Sequence, residues 1–79
     1  MTRVRLCDLA VGALARFDEA RLDPESAHLL RSLGLTRSSL LRLCKAGEPC
    51  IVQVRSTRIG LSRAVAGNIF VIPELPRPL

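Results

Sequence analysis

The chain has 79 residues, is 48% hydrophobic and carries a formal charge of +5, from twelve basic residues, all but one of them arginine, against seven acids. That length suits one domain, no apolar run approaches the roughly 20 residues needed to cross a bilayer as a helix, and three irregularly spaced cysteines make no disulfide framework. The positive balance permits an acidic protein, a nucleic acid or an anionic membrane surface as partner and does not choose among them.

Taken from the N-terminus, Leu6 and Leu9 form an apolar entry that leads to a turn at Gly12. Asp8 and Arg16 interrupt the apolar patch, so the segment reads as folded sequence and not as an export signal. The expected compartment is therefore the cytoplasm or the inner-membrane surface facing it, where Cys7, Cys44 and Cys50 are reduced thiols. Ala13, Ala15 and Phe17 alternate with Leu14 and Arg16, which predicts a strand over about residues 13–17.

The next stretch, "LDPESAHLLRSLGL", carries the clearest local signal. Asp23 can accept from the free N–H groups of a first helical turn. Pro24 suits the first helical position, where its missing N–H costs nothing. Ala27, Leu30 and Leu33 share a face, Gly34 can end the helix in a left-handed conformation, and Leu35 can fold back onto Leu30. The prediction is one main helix over residues 24–33.

The remainder alternates with period two. Leu41 and Leu43 oppose Leu40, Arg42 and Cys44; Val52 and Val54 oppose Ile51, Gln53 and Arg55. "AGEP" closes one hairpin and "STR" a second that leads to Ile59 and Leu61. "SRAVAGN" suggests a single helical turn, and "NIFVIP" a last strand with Ile69 and Val71 together. The expected fold is mainly β with short helices: a small closed or partly closed barrel of about five strands, with the Leu30 and Leu33 face of the helix covering one open end. Residues 1–73 form the domain and 74–79 a tail, from which Leu75 and Leu79 could dock onto a second copy.

Few residues suggest chemistry. His28 is the only histidine, and nothing near it in sequence offers the positioned partner that a catalytic base needs. Cys44 and Cys50 flank a predicted turn and could face each other, but two thiolates leave a tetrahedral zinc site incomplete. No glycine-rich phosphate loop is present. Neither a catalytic residue nor a cofactor is expected. Arg42, Arg55 and Arg58 belong on the outer surface of neighbouring strands, where guanidinium groups can pair with acidic side chains of a partner. A single-strand nucleic-acid reader stacks bases on exposed aromatics, and Phe17 and Phe70 are the only two here, which disfavours that use.

The order Leu6-x-x-Leu9-x-x-Gly12, then Leu30-x-x-Leu33-Gly34-Leu35, Leu41-x-Leu43, Val52-x-Val54, Ile59-x-Leu61 and Ala66-x-x-Ile69-x-Val71 resembles the ferrous iron transport protein A (FeoA) family. Three positions depart from its pattern: Ser38 where the family usually has a glycine, Ser62 where an arginine commonly follows the leucine, and Val65 where an acid usually precedes the alanine. The resemblance implies an SH3-like barrel and a small non-enzymatic accessory of bacterial ferrous-iron uptake. Its partner would be the membrane ferrous-iron transporter, which carries a GTP-binding domain. The alternatives are a nucleic-acid-binding barrel and a metal- or redox-sensing module using Cys44 and Cys50.

Overall fold

A computed structural model describes residues 2–74. Six strands form one antiparallel sheet: β1 (Val4–Arg5), β2 (Leu14–Ala20), β3 (Leu40–Lys45), β4 (Cys50–Val54), β5 (Thr57–Leu61) and β6 (Ile69–Pro73). Two helices interrupt them, α1 (Pro24–Ser32) and α2 (Arg63–Ala66), and a 3-10 turn spans Leu6–Asp8. The predicted tail, with Leu75 and Leu79, lies outside the described residues apart from Glu74.

The strand order is β1-β6-β2-β3-β4-β5. This corrects the expected barrel of about five strands: there are six, and the sheet is open, with β1 and β5 as its two unjoined ends. The reason is local. Strand β1 is only two residues long before the chain tightens into the Leu6–Asp8 turn, and β5 stops at Leu61 because Ser62 starts α2. Helix α2 then packs against the Leu6–Asp8 turn where a closing strand pair would otherwise meet. The Ser62 hydroxyl accepts from the Val65 amide at 3.2 Å, so the serine that departs from the family pattern serves as a helix cap.

Strand β2 runs longer than its alternation predicts. Its pairing with β6 shifts register between Phe17 and Glu19, and such a bulge breaks the two-residue period that sequence reading follows. The charged end of β2 is held by Arg3, whose guanidinium lies 3.0 Å from Asp18 and 3.2 Å from Glu19.

Helix α1 follows its sequence signals closely. The Asp23 carboxylate accepts from the Ser26 amide at 3.1 Å, and this hydrogen bonding holds its pKa below the ordinary value. Gly34 takes a left-handed φ of +101°, which lets the Leu35 amide reach back to the Leu30 carbonyl at 3.0 Å. One detail differs. Leu30 and Leu35 are buried, but Leu33 is 38% exposed, so the helix is anchored by Leu30 and by the returning chain at Leu35. Leu33 sits at the C-cap, beyond the last regular turn, where the helical stripe no longer sets its direction.

The core is almost wholly aliphatic, with Phe17 its aromatic member among the described residues. Ala15, Leu41, Leu43, Val52, Val54, Ile59, Leu61, Ile69 and Val71 are buried on one side of the sheet, with Leu6, Leu30, Leu35 and Ala66 packed into the same cluster. Ser38 has a left-handed φ of +70°, a conformation that a glycine would adopt without strain.

Candidate partner interface

Strand alternation sends one set of side chains to the core and the other to the outer face of the sheet. On β3 and β4 the outer set includes Leu40, Arg42, Cys44, Ile51 and Gln53. Register aligns it across the strands: Leu14 pairs with Arg42, Arg42 with Gln53, and Gln53 with Arg58. The result is a row running across β2, β3, β4 and β5, with arginines on either side of a glutamine. At one strand spacing each, the Arg42 and Arg58 backbones lie roughly 10 Å apart.

Arg55 joins this row from the end of the sheet. It sits in the two-residue turn between β4 and β5 with a φ of +57°, and the favoured two-residue hairpin turns demand a positive φ at that first position. The predicted "STR" turn is thus shorter and earlier, formed by Arg55 and Ser56, while Thr57 and Arg58 belong to β5. The Gln53 amide donates to the Arg55 carbonyl at 3.0 Å, which ties the middle of the row to the turn. Arg42 donates weakly to the Gly12 carbonyl at 3.4 Å. A shallow cavity of about 240 Å³ is lined by Leu14, Leu40, Arg42, Gln53 and Arg55 among others, and Leu40 is 43% exposed at it.

The structure therefore brings all three predicted arginines to one side of the sheet. Among the described residues none of them forms an ion pair; the ion pairs use Arg3, Arg16 and Arg21. Gln53 and Leu40 belong to the same surface and were not singled out by sequence. The signal for Gln53 is register, which follows from the length of the turn at Arg55 and Ser56.

The cysteines do not assemble as the metal or redox alternative required. Cys44 points outward, its Sγ 3.9 Å from the Gln53 Oε1, while Cys50 points into the core and is 2% exposed. They occupy opposite faces of the sheet because Cys50 is in phase with Val52, and Cys44 is out of phase with Leu43. Among the described residues no group of three His, Cys, Asp or Glu side chains could hold a metal ion. Cys50 instead shares a cavity of about 290 Å³ with Cys7, Asp8 and Arg63. Burial, followed by the neighbouring Cys7, pushes its thiol pKa up. Since the thiolate is the reactive form, alkylation with iodoacetamide at pH 8 should proceed first at exposed Cys7 and last at Cys50. Mass spectrometry of timed samples checks that order, and early labelling of Cys50 contradicts the burial described here.

His28 is exposed on α1, where its carbonyl accepts from the Ser32 hydroxyl. Neither phenylalanine offers a free stacking face. Phe17 is buried, and Phe70 is covered by the Arg3 and Arg21 guanidinium groups, 5.0 and 4.9 Å from its ring centre. No helix among the described residues is long and apolar enough to cross a membrane.

Comparison with known proteins identifies the fold and the family. The family model for the FeoA domain matches residues 4–73. The FeoA protein of Chlorobium tepidum superposes with a TM-score of 0.87 at 23% identity, over 95% of this chain and 74% of that one. Stenotrophomonas maltophilia FeoA, solved in complex with zinc and described as a prokaryotic SH3 domain protein, gives a TM-score of 0.75 at 27% identity, over 86% and 88% of the two chains. The repressor IdeR of T. acidophilum gives 0.83 at 20% identity, over 94% of this chain but only 35% of the repressor, a likeness of fold alone. No curated protein sequence matches. With a family match that spans nearly every described residue, on an SH3-like open sheet, the chain belongs to the FeoA domain family, small adaptors of bacterial ferrous-iron uptake.

Proposed function

We propose that this protein acts by protein–protein contact with the membrane ferrous-iron transporter and its GTP-binding domain, and that Arg42, Arg55 and Arg58 make the contact. One observation carries the reading: the Arg42–Gln53–Arg58 row with Arg55 beside it is a cationic surface without internal counter-charges among the described residues. Arginines in such a setting keep their hydrogen-bonding capacity for carboxylates supplied by another molecule. Leu14 and Leu40 place an apolar patch next to the charges, the mixture of apolar centre and polar rim usual in interfaces.

Binding alone changes a transporter only if the adaptor prefers one of its states. An adaptor that favours one nucleotide state shifts the transporter toward that state by the difference in its affinities. The coupling is reciprocal, so nucleotide bound to the transporter changes adaptor affinity by the same factor. The testing experiment is co-purification of tagged adaptor with the detergent-solubilised ferrous transporter of the same cell, with an unrelated SH3-like domain as control. Enrichment over the control that weakens as salt is raised is the expected result. Equal recovery of both domains refutes the proposal.

A further inference from the structure

We propose that the partner adds an acidic, extended segment as a further strand along the free edge of β5, next to Arg58 and Gly60. This deepens the contact proposed above and rests on it for the identity of the partner.

The open sheet has two ends, and they are not equivalent. Strand β1 offers only two residues, Val4 and Arg5. Strand β5 offers five, Thr57–Leu61, and is paired on one side only, to β4. Its ladder fixes which backbone groups are spare. Thr57 and Val54 close the two-residue hairpin, and such closing residues exchange hydrogen bonds directly. Hydrogen-bonded pairs then alternate along an antiparallel ladder. Thr57, Ile59 and Leu61 therefore turn their N–H and C=O groups toward β4, while Arg58 and Gly60 turn theirs toward the open edge. No other backbone partner for Arg58 or Gly60 occurs among the described residues.

These two residues suit an incoming strand. Ile59 and Leu61 are buried and hold β5 in place, whereas Arg58 and Gly60 are exposed. Gly60 carries no side chain of its own, and nothing lies within 4 Å of where a Cβ would stand. There is no proline or bulge in β5 to blunt the edge. Charge selects the occupant. Arg58 lies on the edge strand itself, two strands from Arg42 in the same register row and three residues beyond Arg55 in the adjoining turn, and no acid is paired to any of them among the described residues. A neutral or basic strand gains only backbone hydrogen bonds there, while an acidic one also neutralises the arginines. Main-chain pairing of this kind supplies affinity, and the flanking side chains supply selectivity.

The test uses the whole protein, labelled with nitrogen-15, and the acetylated, amidated peptide Glu-Val-Asp-Val-Glu-Val as probe, with Lys-Val-Lys-Val-Lys-Val as control. The acidic peptide should shift the Arg58 and Gly60 amide signals and slow their hydrogen exchange by at least about tenfold, leaving the already bonded Ile59 amide unchanged. Gly60→Pro removes the outward N–H without touching the β4 ladder, and proline is tolerated at such an edge position; it should abolish the response. Equal effects of both peptides, shifts without slowed exchange at Gly60, or a folded Gly60→Pro that binds like the parent each overturn the inference. If that variant does not fold, the exchange measurement on the parent decides. Protection that grows with protein concentration alone would assign the edge to a second copy, and protection by single-stranded oligothymidylate would assign it to nucleic acid; either overturns the inference. Co-purification with the transporter in the absence of Gly60 protection removes the edge and leaves the adaptor reading intact. The peptide response without co-purification does the reverse.

Discussion

Leu43→Ala should cost about 3 kcal/mol of folding stability, inside the range of 2–5 kcal/mol typical of buried leucine truncation. Leu43 is fully buried at the centre of β3, between β2-side contacts and Val52 across the ladder. A domain of this length holds roughly 4–12 kcal/mol in total, so the loss is a large share of it. For a domain this small each kcal/mol corresponds to about 4–8 °C in the melting temperature, which puts the expected fall near 15 °C. Leu40→Ala is the matched comparison. Leu40 is on the same strand but faces outward, and its truncation should change stability by no more than about 0.5 kcal/mol. Urea or thermal unfolding of the two variants measures the difference. Similar losses from both would mean that β3 does not present alternating faces as described.

The strand faces were legible because each core strand obeys period two over at least four residues. Leu41 and Leu43, Val52 and Val54, and Ile59 and Leu61 all fall where alternation puts them. Helix α1 was legible from its ends: Asp23 caps it and Gly34 stops it. What sequence did not carry were features decided by tertiary pairing. Val4 and Arg5 form a strand only because Val71 and Phe70 lie beside them, and two residues have no periodicity to read. Closure of the sheet was predicted from strand number, but closure depends on how the two ends meet, and here α2 and the Leu6–Asp8 turn meet instead. The same limit applies to the interface. That Arg42 and Gln53 face outward follows from alternation within each strand; that they are neighbours of Arg58 follows from register, which the turn at Arg55 and Ser56 sets. That Cys44 and Cys50 flank a turn leaves open whether they face each other; the phase of each strand decides it, and puts them on opposite faces.

Reversing two charges in the row, Arg42→Glu together with Arg58→Glu, should reduce affinity for the transporter about a hundredfold while leaving the fold intact. Each substitution replaces an attraction to partner carboxylates with a repulsion, and about 1.4 kcal/mol for each corresponds to tenfold. Both side chains lie outside the core and take part in no ion pair among the described residues, so stability should stay within about 0.5 kcal/mol of the parent. Arg31→Glu, on the last turn of α1 and not on the strands that carry the row, has the same charge change at one site and should leave association unaltered. Arg55→Gly separates charge from folding more sharply. It relieves the left-handed backbone of a non-glycine residue, a strain of roughly 1–2 kcal/mol, and so should raise the melting temperature by several degrees while it weakens association. Co-purification titrated against salt, alongside thermal unfolding of each variant, reads both quantities. An Arg55→Gly protein that is more stable and binds equally well would remove Arg55 from the contact. Full association by the double reversal would move the contact off this face altogether.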